Sequence, residues 1–80
     1  MSRAEILDRF QAKAGCMHTQ VVAFAAWRRL KKHLTREQRN ALLLAWSHHV
    51  DIGEGRGALD HECAAVRKSW AQQEARVGGP

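Results

Sequence analysis

The sequence predicts a small all-α bundle of three to four helices in an up-and-down arrangement. Apolar residues recur at helical spacings of three and four, and no run alternates at period two as a strand would. Glycines gather at 15, at 53–57 and at 78–79, and they divide the chain into helical segments. With 80 residues in all, we expect one helical domain over 1–77 and a flexible tail over 78–80.

The first helix is predicted to begin at Ser2, because Ser2 and Glu5 have the spacing of an N-terminal capping box. One apolar stripe follows, made of Ile6, Leu7, Phe10 and Ala14. We expect Gly15 to end this helix in the left-handed conformation that glycine adopts easily.

The second helix is predicted to start at a Thr19 cap, to run through Leu30 and to have residues 28–33 as its last turn. Its first half, which includes Val21, Val22 and Phe24, is apolar on every side. Such a pattern predicts a central position in the bundle. Its last turn is cationic, where the helix dipole favours positive charge.

The third helix opens with a second capping box, Thr35 with Gln38, and is expected to end at Asp51 and Gly53. Its core positions are predicted to be Leu42, Leu43, Trp46 and Val50. Leu42 to Leu44 point about 100° apart from one another, which is more apolar surface than a thin core covers easily. Self-association into a homodimer would cover it, and so would a third helix enclosed within one subunit.

The fourth helix follows the glycine-rich connector, residues 53–57, and carries the clearest amphipathic stripe of the chain. The stripe consists of Leu59, Cys63, Val66 and Trp70. The longest uncharged run ends at Trp27 and falls short of the roughly 20 residues that cross a bilayer. The two cysteines make no disulfide framework, and the N-terminus lacks the order of a signal peptide, so we expect a cytoplasmic protein.

Positive charge is the strongest functional signal. Lys and Arg number 13 against 8 Asp and Glu, for a net charge of +5. Most of the excess falls in what we call the basic segment, which consists of Arg28, Arg29, Lys31, Lys32, His33, Arg36 and Arg39. We interpret this segment as a docking face for an anionic macromolecular surface, either acidic protein or nucleic acid. A solvated surface with charges at helix ends is the alternative, and it would explain Lys31 and Lys32.

A zinc site is the one metal centre that the sequence allows. Cys16 with His18 and His61 with Cys63 form a mirror-image set of ligands for a tetrahedral ion. However, Cys63 lies on the apolar stripe of the fourth helix, and residues two apart on a helix diverge by about 200°. We therefore expect no metal and no cofactor.

Two functional classes remain for a chain without a recognisable catalytic constellation. One is a stoichiometric inhibitor or adaptor of a nucleic-acid-handling protein complex, of the accessory type that phages and plasmids encode. The other is a direct DNA- or RNA-binding regulator. The first is favoured, because no helix with base-reading polar residues is apparent from the sequence.

Overall fold

Four α-helices form the part of the chain that the computed structural model describes, which is residues 1–53, 57 and 59–77. They are α1 (Arg3–Ala14), α2 (Gln20–Leu30), α3 (Arg36–Ile52) and α4 (Asp60–Val77). Within those residues there is no strand, and the predicted all-α class is confirmed. No helix in the same ranges combines the length and apolar character that crossing a membrane requires. The predicted tail over 78–80 and the middle of the glycine-rich connector, 54–56, lie outside the described residues.

Three of the predicted helix ends are confirmed. The Ser2 hydroxyl accepts a hydrogen bond from the backbone N–H of Glu5 at 3.2 Å, so α1 begins where expected. Thr35 and Gln38 form both halves of a capping box, at 3.1 and 2.9 Å. Gly53 ends α3 with a φ of 65°, a conformation that side chains with a Cβ rarely adopt.

The other two predicted caps are wrong. Gly15 is right-handed, with φ −73° and ψ −9°, because the chain continues into a 3₁₀ turn at Met17–Thr19 instead of reversing. Thr19 does not accept a hydrogen bond from α2. Its hydroxyl donates instead to the carbonyl of Lys13, at 2.7 Å. The last carbonyls of a helix lack partners within it. The Thr19 hydroxyl donates to one of these carbonyls of α1 and therefore does not cap α2.

α1 and α4 are antiparallel. Three polar pairs join them: Arg3 with Glu74, Asp8 with Arg67, and Gln11 with Asp60. Residue numbers rise along α1 while they fall along α4, which fixes the relative direction. These pairs are substantially exposed, so they specify the alignment of the two helices more than they stabilise the fold.

The core is built from aromatic side chains of every helix. Phe10 of α1 lies 5.5 Å from the ring of Trp27 and 5.0 Å from that of Trp46, measured between centroids. Phe10 therefore joins α1 to α2 and α3. Its ring is nearly perpendicular to that of Trp46, which is an arrangement that aromatic pairs prefer. Trp70 of α4 is buried as well, and the Arg3 guanidinium lies 4.6 Å from its ring centroid. The predicted stripes of α1 and α4 are all buried, as expected.

The predicted central position of α2 is wrong. Its buried residues form a single stripe of Ala23, Ala26, Trp27 and Leu30. Val21 and Phe24 keep 86% and 57% of their surface exposed. α2 packs mainly on α1 by one face, and the opposite face remains on the surface although it too is apolar.

α3 is rotated relative to the prediction. Its buried residues are Leu42, Trp46 and His49, at spacings of four and three. Leu43 and Val50 are partly exposed, so their predicted place on the core stripe is wrong. Leu44 is 74% exposed, and an α3 enclosed within one subunit is therefore wrong too.

Candidate partner-binding surface

The basic segment occupies the end of α2, a 3₁₀ turn at Lys31–His33 and the first turns of α3. All of its members are exposed: Arg28, Arg29, Lys31, Lys32, His33, Arg36 and Arg39. The fold thus exposes all seven side chains of the basic segment within the range 28–39.

Two buried leucines hold the backbone of this segment in place. Leu30 precedes the 3₁₀ turn and Leu34 follows it, and both belong to the core. The backbone N–H of Leu34 donates to the carbonyl of Lys31 at 3.3 Å, and the Thr35 capping box begins α3 directly afterwards. Because this backbone is ordered before any ligand arrives, binding there loses less conformational entropy than binding to a flexible tail.

No carboxylate of the described residues forms an ion pair with the segment, although Glu37 lies within its range. Among the described residues, the ion pairs are Arg3 with Glu74 and Asp8 with Arg67, and both lie along the α1–α4 contact. The cations of the basic segment therefore remain available to an external anion. Arginine in particular offers a planar fork of donors that matches carboxylate and phosphate groups.

Helix-end charge explains only part of the segment. Arg28 and Arg29 lie in the last turn of α2, where a cation stabilises the helix by about 0.3–1 kcal/mol. Arg36 is the first residue of α3, where the dipole disfavours a cation by a similar amount, and Glu37 offsets it in the same turn. The helix dipole therefore does not explain why a cation occupies position 36.

An apolar depression adjoins the basic segment on the exposed face of α2. Val21, Phe24 and Ala25 line it together with Gln20, Arg28 and Arg29, and its volume is about 640 Å³. This surface was not predicted, because apolar residues all around a helix indicate burial. The signal that could have revealed it is that the same residues form two separate apolar stripes on opposite sides of the helix.

The four residues of the zinc hypothesis do not come together. Cys63 is buried in the core, whereas Cys16, His18 and His61 are exposed. No three His, Cys, Asp or Glu side chains within the described ranges are grouped as metal ligands would be. Burial raises the pKa of the Cys63 thiol to about 11, although the positive charge of the neighbouring Arg67 acts to lower this pKa. This thiol is therefore a neutral core group at physiological pH.

His49 is the polar member of the α3 core stripe. Only 1% of its surface is exposed, and neither ring nitrogen has a hydrogen-bond partner within the described part of the chain. The sequence analysis did not identify it, because an adjacent pair of histidines near a helix end is typical of exposed positions. Its burial costs stability, since a polar group without a partner is unfavourable in an apolar core.

Comparisons with known proteins do not extend this description. No family model matches the chain, and neither the curated proteins nor the solved structures gave a significant match. We therefore infer function from the geometry and chemistry of the chain itself.

Proposed function

We propose that this chain is a non-enzymatic binding protein that acts by stoichiometric occupancy of an anionic macromolecular surface. The observation that carries the proposal is the basic segment, whose cations are exposed and make no ion pair among the described residues. A protein of this size that covers a surface on a partner changes what else can bind there.

The polar groups between α1 and α4 have a structural role. A second depression there is lined by Asp8, Gln11, Asp60 and Arg67 among others. These four side chains form two pairs that align the two helices, Asp8 with Arg67 and Gln11 with Asp60, so the basic segment is the better-supported site.

We place the partner in a nucleic-acid-handling protein complex, which the chain would inhibit or adapt in the manner of phage and plasmid accessory proteins. Exposed apolar residues support a protein partner, since they lie on both sides of the basic segment along the chain. A cytoplasmic setting accords with two cysteines that form no disulfide.

Direct DNA or RNA binding is the second candidate. No base-reading helix was expected from the sequence, but Arg36, Arg39 and Asn40 are exposed in the first turns of α3, and these residue types read base edges when a helix end enters a groove. Glu37 lies among them, and the exposed Leu43 and Leu44 follow. Neither the acidic side chain nor the apolar pair suits a phosphate-lined groove.

Charge reversal tests the basic segment. The first variant replaces Arg28, Arg29, Lys32 and Arg36 with Glu, and its matched control replaces Arg9, Lys13, Lys68 and Arg76 with Glu. Both variants change the net charge equally, and circular dichroism should show unchanged helicity in both. We expect the first variant to lose the partners that tagged wild type retains from a host lysate, while the control keeps them. Equal loss in both would mean that net charge, not this surface, drives binding.

A gel shift with generic duplex DNA separates the two candidates. Protein that binds phosphates directly shifts the duplex without other components, and its affinity falls steeply as salt increases. We expect weak or no shift at physiological salt. A strong shift that the charge-reversal variant abolishes would favour the regulator over the inhibitor or adaptor.

A further inference from the structure

α2 has a second apolar stripe directly opposite the one that it buries. Val21, Phe24, Ala25 and Arg28 are spaced at three and four residues, which places them along one side of the helix. The buried stripe, Ala23 to Leu30, lies about half a turn away at roughly 100° per residue. An amphipathic helix needs only one apolar side to join a bundle. Of the second stripe, Phe24 contacts Trp46, but the fold does not account for Val21, which is 86% exposed.

The polar groups that this stripe offers to a ligand are cationic. Gln20 borders the stripe, but its amide is used internally: Oε1 accepts from Trp46 Nε1 at 2.7 Å, and Nε2 donates to the carbonyl of Ala14 at 2.8 Å. What remains for a ligand is an apolar floor with Arg28 and Arg29 at one end. A complementary ligand therefore carries apolar groups beside carboxylates or phosphates.

We propose that this stripe, consisting of Val21, Phe24, Ala25, Arg28 and Arg29, is the docking site for an acidic amphipathic helix of a partner protein. The inference rests on the proposed function and deepens it, because the basic segment begins with the same two arginines. Apolar side chains of the partner lie against Val21 and Phe24, and its carboxylates pair with Arg28 and Arg29.

Charge complementarity decides against the other occupants. A second copy would bring its own Arg28 and Arg29 to a surface already rich in cations, and the chain carries a net charge of +5. A nucleic acid would satisfy the arginines but would leave Val21 in water. The Phe24 ring packs against Trp46 with centroids 5.7 Å apart, which leaves only part of it for stacking on a base.

A designed peptide provides the probe. It spans about four helical turns, with Leu at spacings of three and four and Glu on both flanks, and it carries fluorescein for anisotropy. A second peptide has the same composition in shuffled order, so that its net charge is equal and its stripe is lost. We expect wild type to bind the amphipathic peptide roughly tenfold more tightly than the shuffled one.

Val21→Ser tests the stripe, because Val21 is 86% exposed and its loss costs the fold little. We expect affinity for the amphipathic peptide to fall roughly five- to tenfold, since about one apolar side chain no longer becomes buried. Affinity for the shuffled peptide should not change. Val50→Ser is the matched control on α3, and it should bind both peptides as wild type does. Phe24→Ser should reproduce the loss, with thermal melting to confirm that the variant folds.

The possible outcomes separate this inference from the proposed function. Equal binding of both peptides by wild type, with no effect of Val21→Ser, would overturn the docking site; a loss on charge reversal would still uphold the basic segment. If charge reversal leaves both peptides bound, the proposed function itself is wrong. Tighter binding of duplex DNA that Val21→Ser weakens would make nucleic acid the occupant. Self-association that Val21→Ser abolishes would make a second copy the occupant.

Discussion

Replacement of His49 by leucine should make the protein more stable. A neutral imidazole has one N–H donor and one acceptor nitrogen, and neither nitrogen of the buried His49 ring has a partner among the described residues. A buried polar group without a partner costs about 1–3 kcal/mol, and His49→Leu removes both groups at once. The side chains differ in shape, so imperfect packing offsets part of the gain. We expect the free energy of unfolding to rise by about 1–3 kcal/mol.

Thermal and urea unfolding measure this change directly. For a domain of this size, each 1 kcal/mol corresponds to roughly 4–8 °C in Tm. The urea midpoint should increase with little change in slope, because both proteins expose similar surface on unfolding. His48→Leu is the matched control, since it makes the same substitution at the exposed neighbouring position. Its Tm should stay near that of wild type.

A lower stability of His49→Leu would refute this reasoning only if a better-fitting side chain also failed. His49→Met provides that check, because methionine is flexible enough to fill an irregular space. If both variants unfold at lower temperature than wild type, the His49 nitrogens have partners in solution, and the ring contributes to the fold.

Four further predictions concern metal, the two cysteines and self-association. A chelator should leave the melting temperature unchanged, whereas stoichiometric zinc in the purified protein with a large chelator-induced loss of stability would contradict this. A thiol reagent at neutral pH should modify the exposed Cys16 and spare the buried Cys63 until the protein unfolds. Burial raises the pKa of Cys63 from 9.0 to about 11, so the contribution of this thiol to the free energy of unfolding should be intact below pH 9 and should diminish as pH rises towards 11. A Cys63→Ala variant that loses stability equally over that range would contradict this. If the exposed Leu44 mediates a homodimer, Leu44→Gln should shift sedimentation towards monomer, and a wild type that stays monomeric at all concentrations would refute self-association.

Features that depend on a few neighbouring residues could be predicted from the sequence. The capping residues Ser2 and Thr35 and the left-handed Gly53 act through bonds or angles within one turn. The stripes of α1 and α4 were also predictable, because each of these helices has one strongly apolar side and one charged side. The exposure of the basic segment could also be expected, because charged side chains are rarely buried without partners.

Features that depend on how helices pack could not be predicted in this way. α2 has two apolar sides, and its sequence does not indicate which one faces α1. Ala23, Ala26, Trp27 and Leu30 occupy the buried side, which leaves Val21 and Phe24 outside. On α3, the position of Trp46 beside Phe10 and Gln20 sets the rotation of the helix, and His49 is then carried into the core one turn later. Both outcomes depend on contacts between residues distant in the sequence.

Departures from local rules are expected where function requires them, and here they fall into two kinds. The exposed apolar stripe of α2 and the cation at the start of α3 are both costs that an acidic, partly apolar partner would relieve. His49 is a cost inside the molecule that no external ligand can reach. We therefore expect His49→Leu to raise stability without changing affinity for the acidic amphipathic peptide, and Val21→Ser to change affinity without lowering stability. A His49→Leu variant that binds more weakly while it melts higher would show that the core of α3 and the exposed face of α2 are coupled, with Trp46 and Phe24 as the contact between them.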